Sequence, residues 1–377
     1  MAGKSFLKLG QTGIGTQTTA ERTAGVSTAT GTATFDVTDN KAKVYTGDTD
    51  GWVVMGDQSG SVVASGGTKI TDSGSTYHVF FEPGPFSVTN AGNVDFLLVG
   101  GGGAMTSNYG SGGGGGGIAH GQGFAVTIQD YPVIVGAGGT GKLNPGITEA
   151  HTEQAQGNDT TFGGVTALGG GAGFHDVFEG SSPATAKGRV NGGSGGGTGD
   201  DAQGGAGVGL QPSQPTHGGV VTNYGRPGFA PELGNGPGPG NQNCGGGGAS
   251  EGGDPSVTSA PGAPISFVGT NDRQGGDGQA FPGYPAPVLE PGIPSPRRSA
   301  WTTAVGPTGL FGGGGGGAGN TPGPYVGGTG GGGNGNTSNT ATAENGVENT
   351  GGGGGASYTT NKGGHGGDGI CIIKYPT

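Results

Sequence analysis

Runs of glycine limit what this chain can fold into more than any other feature. They occupy 100–103, 112–117, 169–171, 245–248, 312–317, 330–333 and 351–355, and several end in alanine, as at Ala104, Ala172, Ala249, Ala318 and Ala356. A helix through such a run is excluded, because each glycine costs up to about 1 kcal/mol relative to alanine in a helix interior. The extended polyproline-II conformation remains, a rod of three residues per turn that rises about 3.1 Å per residue and has no internal hydrogen bonds. Rods without side chains can approach on several sides and exchange N–H and C=O bonds, which satisfies backbone groups that are costly to bury unpaired. The runs are therefore expected to form a packed polyglycine-II bundle. A collagen triple helix is rejected, since the runs break the Gly-X-Y period and the segment 234–240 is too short to supply one.

Composition decides between order and disorder. Glycine makes up 101 of 377 residues and hydrophobic residues only 29%, too little to build one oily core along the whole length. Disordered chains usually carry dense charge and few aromatics, whereas this one is 11% charged and holds 14 Phe, 9 Tyr and 2 Trp. Order held by the backbone is favoured.

The bulky residues gather in two β regions. In the first, Thr34-Phe35-Asp36-Val37, Lys43-Val44-Tyr45 and Trp52-Val53-Val54-Met55 read as strands, with turns at Asp39-Asn40 and Asp50-Gly51, which makes a small β-meander. The second begins near Thr68 and contains Tyr77-His78-Val79-Phe80-Phe81, Phe86-Ser87-Val88, 94–99, Phe124-Ala125-Val126-Thr127-Ile128 and 131–135. The next comparable strand is Ile370-Cys371-Ile372-Ile373-Lys374-Tyr375 at the far end, which should close this early sheet. Continuous apolar runs such as this one and 96–99 indicate strands covered on both faces.

The predicted fold class is thus all-β, with a small β-meander, a sandwich-like base, a long glycine-rich bundle and essentially no α-helix. Residues 1–30, rich in Thr, Gly and Ala, read as an extended N-terminal attachment arm, and 31–60 as the meander module. Residues 66–377 read as a glycine-rich domain, its β base 66–139 closed by 369–377 and its bundle and loops in 140–368.

Several function classes fall away. A net charge of −11 without a basic run argues against nucleic acid, whose binding rests on neutralising phosphates. No apolar stretch approaches the roughly 18 residues that span a bilayer, and the first ten residues lack a signal core, which predicts a chain made without Sec export. Cys244 and Cys371 make no disulfide framework and read as reduced thiols.

Motifs that resemble chemistry do not hold up. Gly136-Ala137-Gly138-Gly139-Thr140-Gly141-Lys142 follows a strand as a phosphate-binding loop does, but Leu143 stands where a Ser or Thr should reach Mg²⁺, and Asn144-Pro145-Gly146 blocks the helix. Gly363-Gly364-His365-Gly366-Gly367-Asp368-Gly369-Ile370 matches a single calcium β-roll repeat, though such rolls bind between stacked copies. Asp48-Thr49-Asp50-Gly51 lacks the later ligands of an EF-hand, and the six histidines form no close pair with His or Cys. No catalytic residue, metal site or cofactor is assigned, and an enzyme is not expected.

The segments that carry large side chains between the runs are the remaining candidates. Phe174, Phe178, Tyr224, Arg226, Phe229, Phe281, Tyr284, Arg297, Arg298 and Trp301 lie in Pro-rich stretches read as loops joining rods. On rigid loops they suit stacking and forked hydrogen bonds to a receptor. Equally, they could cap the bundle, whose ends need large side chains to cover them.

The stretches 77–88 and 94–103, with the closing Gly366-Gly367-Asp368-Gly369-Ile370-Cys371-Ile372-Ile373-Lys374-Tyr375-Pro376, resemble the glycine-rich domain of tailed-phage fibre and appendage proteins. The meander is similar to a short module in structural proteins of phages of marine cyanobacteria, and polyglycine rods with variable loops also occur in distal adhesins of T-even-like phages. The resemblance implies a virion protein, assembled in the host cytoplasm as a homotrimer and joined to other virion proteins through its arm. It also implies attachment to a host surface glycan or outer-membrane protein through loop tips. A capsid-decorating or tail-structural component without receptor binding is the first alternative, and a secreted ice-binding or matrix protein the second.

Overall fold

The computed structural model describes residues 15–17, 32–38, 41–45, 52–54, 62–105, 110–141, 155–173, 190–199, 207–229, 244–252, 273–319, 325–336, 342–357 and 363–377. Its N-terminal part is a four-stranded sheet of β1 (Gly15–Gln17), β2 (Ala33–Asp36), β3 (Lys41–Tyr45) and β4 (Trp52–Val54), in that order. β2, β3 and β4 are the meander read from the sequence, whereas β1, which pairs parallel with β2, comes from within the segment read as an extended arm. Thr34, Asp36 and Lys43 share its buried face, where Lys43 Nζ sits 3.2 Å from Asp36 Oδ2.

The base is a sandwich of two sheets. The larger runs β14 (Val220–Tyr224), β10 (Ile118–Val126), β9 (Gly92–Val99), β17 (Ile370–Pro376), β7 (Ser75–Phe80) and β6 (Thr68–Asp72), antiparallel throughout. The smaller contains β11 (Asp130–Val133), β8 (Gly84–Asn90) and β5 (Val63–Ser65). The hairpin of β12 (Thr160–Phe162) and β13 (Val165–Ala167) extends it through the bridge from Ile134 to Thr161. Between the sheets lie Phe86, Phe96, Phe124 and Phe162, whose rings meet edge-on or tilted at centroid separations of 5.2–5.9 Å. Edge-to-face pairs of this kind add about 0.5–1.5 kcal/mol beyond the area they bury. Glutamine amides occupy the β13 edge, with Gln214 Oε1 accepting from Thr166 N at 3.0 Å and Gln211 Oε1 from Leu168 N at 2.9 Å.

The C-terminal strand β17 sits in the middle of the large sheet, with Ile372 opposite Leu97 on β9 and Val79 on β7. Successive side chains of a strand point to opposite faces. Cys371, Ile373 and Tyr375 accordingly enter the sandwich core with Phe96 and Leu98, while Ile370 and Ile372 turn the other way with Leu97 and Val99. Both faces are covered, which accounts for the unbroken apolar runs.

Residues 279–311 form the cover of the second face. They contain β15 (Gln279–Ala280), a helical turn at Ala286–Leu289, a 3₁₀ turn at Glu290–Gly292, helix α1 (Ser295–Val305) and β16 (Leu310–Phe311). This corrects the reading of 297–301 as a loop. α1 begins with Pro296 in its first turn, where a missing N–H is harmless, and ends at Gly306 (φ 59°), whose N–H reaches Thr302 O at 3.0 Å. Trp301 and Val305, four residues apart and so on one helix face, bury themselves with Phe281, Tyr284, Leu289 and Ile293 against the sheet.

Above the base the glycine runs are extended rods bonded sideways, as 112–117 illustrates. Gly112 and Gly115 donate to Cys244 O and Gly247 O, Gly113 and Gly116 to Gly354 O and Gly351 O, and Gly114 and Gly117 to Gly171 O and Leu168 O, at 2.7–3.0 Å. Every third residue faces the same neighbour, as the three-fold polyproline-II screw requires. Three further rods donate to its carbonyls, through Gly197 and Ser194, through Gly315, and through Gly100 and Gly103. A Cβ at any of residues 112–116 would fall well inside 3.0 Å of a backbone oxygen on an adjacent rod. Only glycine fits at these five positions, and the lattice is the polyglycine-II bundle expected from the sequence.

Candidate interaction surface

The two ends of the bundle differ. At one end the rods run directly into the base: 100–105 continues β9, 110–117 leads into β10, 312–319 follows β16 and 363–369 leads into β17. At the other end the hydrogen-bond ladder brings together Met105 with Gly364, Ala104 with Ala155 and Gly173, Gly317 with Arg273, and Asn336 with Ala356. Residues 104–105, 155, 173, 273, 317, 336, 356 and 364 are therefore grouped at this far end.

Small apolar groups seal it. Met105 packs with Ala318 and Ala356, and its sulfur accepts from Ser357 N at 2.8 Å. Phe229 and Cys244 are buried nearby, where Phe229 N donates to Gly245 O and Cys244 N to Ser111 Oγ. Arg273 lies over the Tyr325 ring, 5.2 Å from its centroid, and Nη1 donates to the phenol oxygen. Arg273 and Tyr325 were not among the sequence candidates. Their only signal is that each flanks a segment between rods, with Asn-Asp before Arg273 and Pro-Gly-Pro before Tyr325.

The structure separates the sequence candidates instead of gathering them. Phe174 and Phe178 lie outside the described residues. Phe229 is at the far end but has no exposed surface. Phe281, Tyr284 and Trp301 are buried against the base sheet, and half-buried Tyr224, at the end of β14, meets the Phe281 ring edge-on at 5.3 Å. Arg226 Nε donates to Ser250 O at 3.2 Å. Arg297 pairs with Glu348 and donates to Asn349 Oδ1, Trp301 Nε1 donates to Asn349 O, and Arg298 donates to Ile293 O. Phe281, Tyr284 and Trp301 thus cover the second face of the base sheet, and Phe229 is buried in the bundle.

His120, on β10, meets Tyr284 where that cover packs on the sheet. Burial holds the His120 imidazole below its ordinary range against the opposing pull of Asp95. Burial pushes the Tyr284 phenol well above its own, helped by Asp95. Both stay neutral near pH 7, which suits their packing edge-on at 5.8 Å. The Cys371 thiol is likewise pushed up by complete burial and is inert in the core.

The phosphate-loop-like segment is one more rod, with its amides already engaged. Gly136 N donates to Thr160 Oγ1, Gly138 N to Asp368 Oδ1, Gly139 N to Gly102 O and Gly141 N to His365 Nδ1, which leaves none of these four for an anion. The same bonds place the β-roll-like repeat, with Asp368 and His365, in the lattice. Among the described residues no three His, Cys, Asp or Glu side chains are grouped to hold a metal ion.

A family model described as a glycine-rich domain matches residues 81–376, from the end of β7 through β17. The chain belongs to this glycine-rich domain family. The match begins just past β7 and ends on the last residue of β17, so the family unit includes the closing strand as well as the bundle. No curated protein matches the chain.

Proposed function

We propose that the chain is a virion structural protein of the tail-fibre or adhesin kind, attaching the particle to a host cell surface. The observation that carries the reading is the division of labour along the rods. A side-chain-free lattice fixes their positions, and described residues that border stretches rich in side chains, among them Met105, Ala155, Gly173, Arg273 and Asn336, share the end away from the base. A rigid scaffold that carries side-chain chemistry between its rods is suited to recognition. On this reading residues 1–30 join other virion proteins, the assembled form is a homotrimer, the receptor is a surface glycan or outer-membrane protein, and the chain has no catalytic role.

A tail-structural or capsid-decorating role without receptor binding is the second reading, favoured by the burial of the aromatic residues first considered for binding. Competition separates the two. Purified chain should block adsorption of the virus that carries it. Replacing 142–154 or 174–189 with Gly-Ser segments of equal length should abolish the block while leaving thermal melting unchanged. Intact chain that never competes points to the second reading.

A further inference from the structure

His78, on β7, is fully buried with both ring nitrogens engaged. Nδ1 lies 2.7 Å from the carbonyl oxygen of Gly66. A carbonyl only accepts, so Nδ1 carries the proton, Nε2 is the acceptor, and the Tyr375 hydroxyl 2.8 Å away donates to it. The bond ties β7 to the C-terminal strand, since Tyr375 lies 297 residues on.

Each element packed on the ring contributes a known group. β6 presents Lys69, directly opposite His78 in register, and β17 presents Ile373 and Tyr375, whose ring stacks at 5.6 Å. β8 presents the edge of Phe86 at 5.2 Å, and β5 the backbone of Ala64, which bonds the Tyr375 hydroxyl. None of these groups is a carboxylate, and the one charge, Lys69, has the same sign as an imidazolium.

We propose that His78 is an acid-sensitive latch: while neutral it holds the C-terminal strand in the base sheet, and when it gains a proton it loosens that strand. Protonation makes Nε2 a donor, so the Tyr375 hydroxyl loses its acceptor, and a buried cation is left without a counter-charge. Burial, with Lys69 adding to it, holds the imidazole below its ordinary value of 6.5, against the opposing effect of the Gly66 bond. A group lowered on folding stabilises fully above the unfolded value, and that contribution is lost as pH falls below it.

The test is hydrogen exchange of residues 370–377, corrected for intrinsic rates, together with melting at pH 7.5 and 5.5, for the parent and His78→Gln. In the parent, protection of the strand should fall roughly tenfold and the melting temperature by on the order of 2 °C. His78→Gln should melt lower at pH 7.5 but lose less on acidification. Parallel pH dependences in the two proteins, or unchanged protection in the parent, overturn the proposal. Should the variant fail to fold, ring ¹⁵N spectra of the parent decide: an Nδ1–H tautomer titrating below 6.5 supports the latch, and titration at or above that value refutes it.

Discussion

Gly116 shows what a residue contributes here by having nothing to place. An alanine methyl there would collide with Gly100 O, part of a backbone held on all sides. Gly116→Ala should cost at or beyond the upper end of the roughly 1–3 kcal/mol typical of overpacking, read from urea denaturation. Gly74 is the control, since a methyl there meets nothing within 4 Å and the cost is only that of its positive φ of 77°, about 1–2 kcal/mol. Equal losses at the two sites would mean that lattice contact is unimportant. At Trp301, which is fully buried and donates to Asn349 O, truncation to alanine should cost about 3–5 kcal/mol. Unchanged melting of Trp301→Ala with lost adsorption would show instead that this side chain serves receptor binding.

At the level of elements, the sequence was informative where side chains alternate or crowd. The strands around His78, Phe86, Phe96 and Phe124 were visible from β-branched and aromatic residues, and the runs at Leu97 and Ile372 announced two covered faces. What covers the second face was not visible, because proline and arginine in 285–298 suggest a loop when read locally. Pro296 and Gly306, bracketing a stretch without glycine, were the helix signals available. β12, β13, β15 and β16 are too short to show a period, and pairing alone defines them. None of the candidate contacts could be foreseen, since burial of Phe281 and Tyr284 depends on a sheet drawn from both ends of the domain. Because β17 lies between β7 and β9, deleting 370–377 should expose two strand edges and both cores at once. Loss of the cooperative melting transition is the expected result, and a soluble truncation that melts sharply would contradict it.

At the scale of the molecule, shape is held by main-chain amides in the bundle and by aromatic packing in the base. The two parts should respond differently to perturbation. Replacing 142–154 or 174–189 should leave the base melt untouched, whereas acid acting on His78 should affect the base first. The screw of the rods carries one more consequence. Because Gly113 and Gly116 address one neighbour while Gly114 and Gly117 address another, a single inserted residue would turn every later amide by a third of a revolution, toward the wrong rod. Evolution of such a chain can lengthen a rod only in steps of three, while the stretches between rods are free to gain or lose residues in any number.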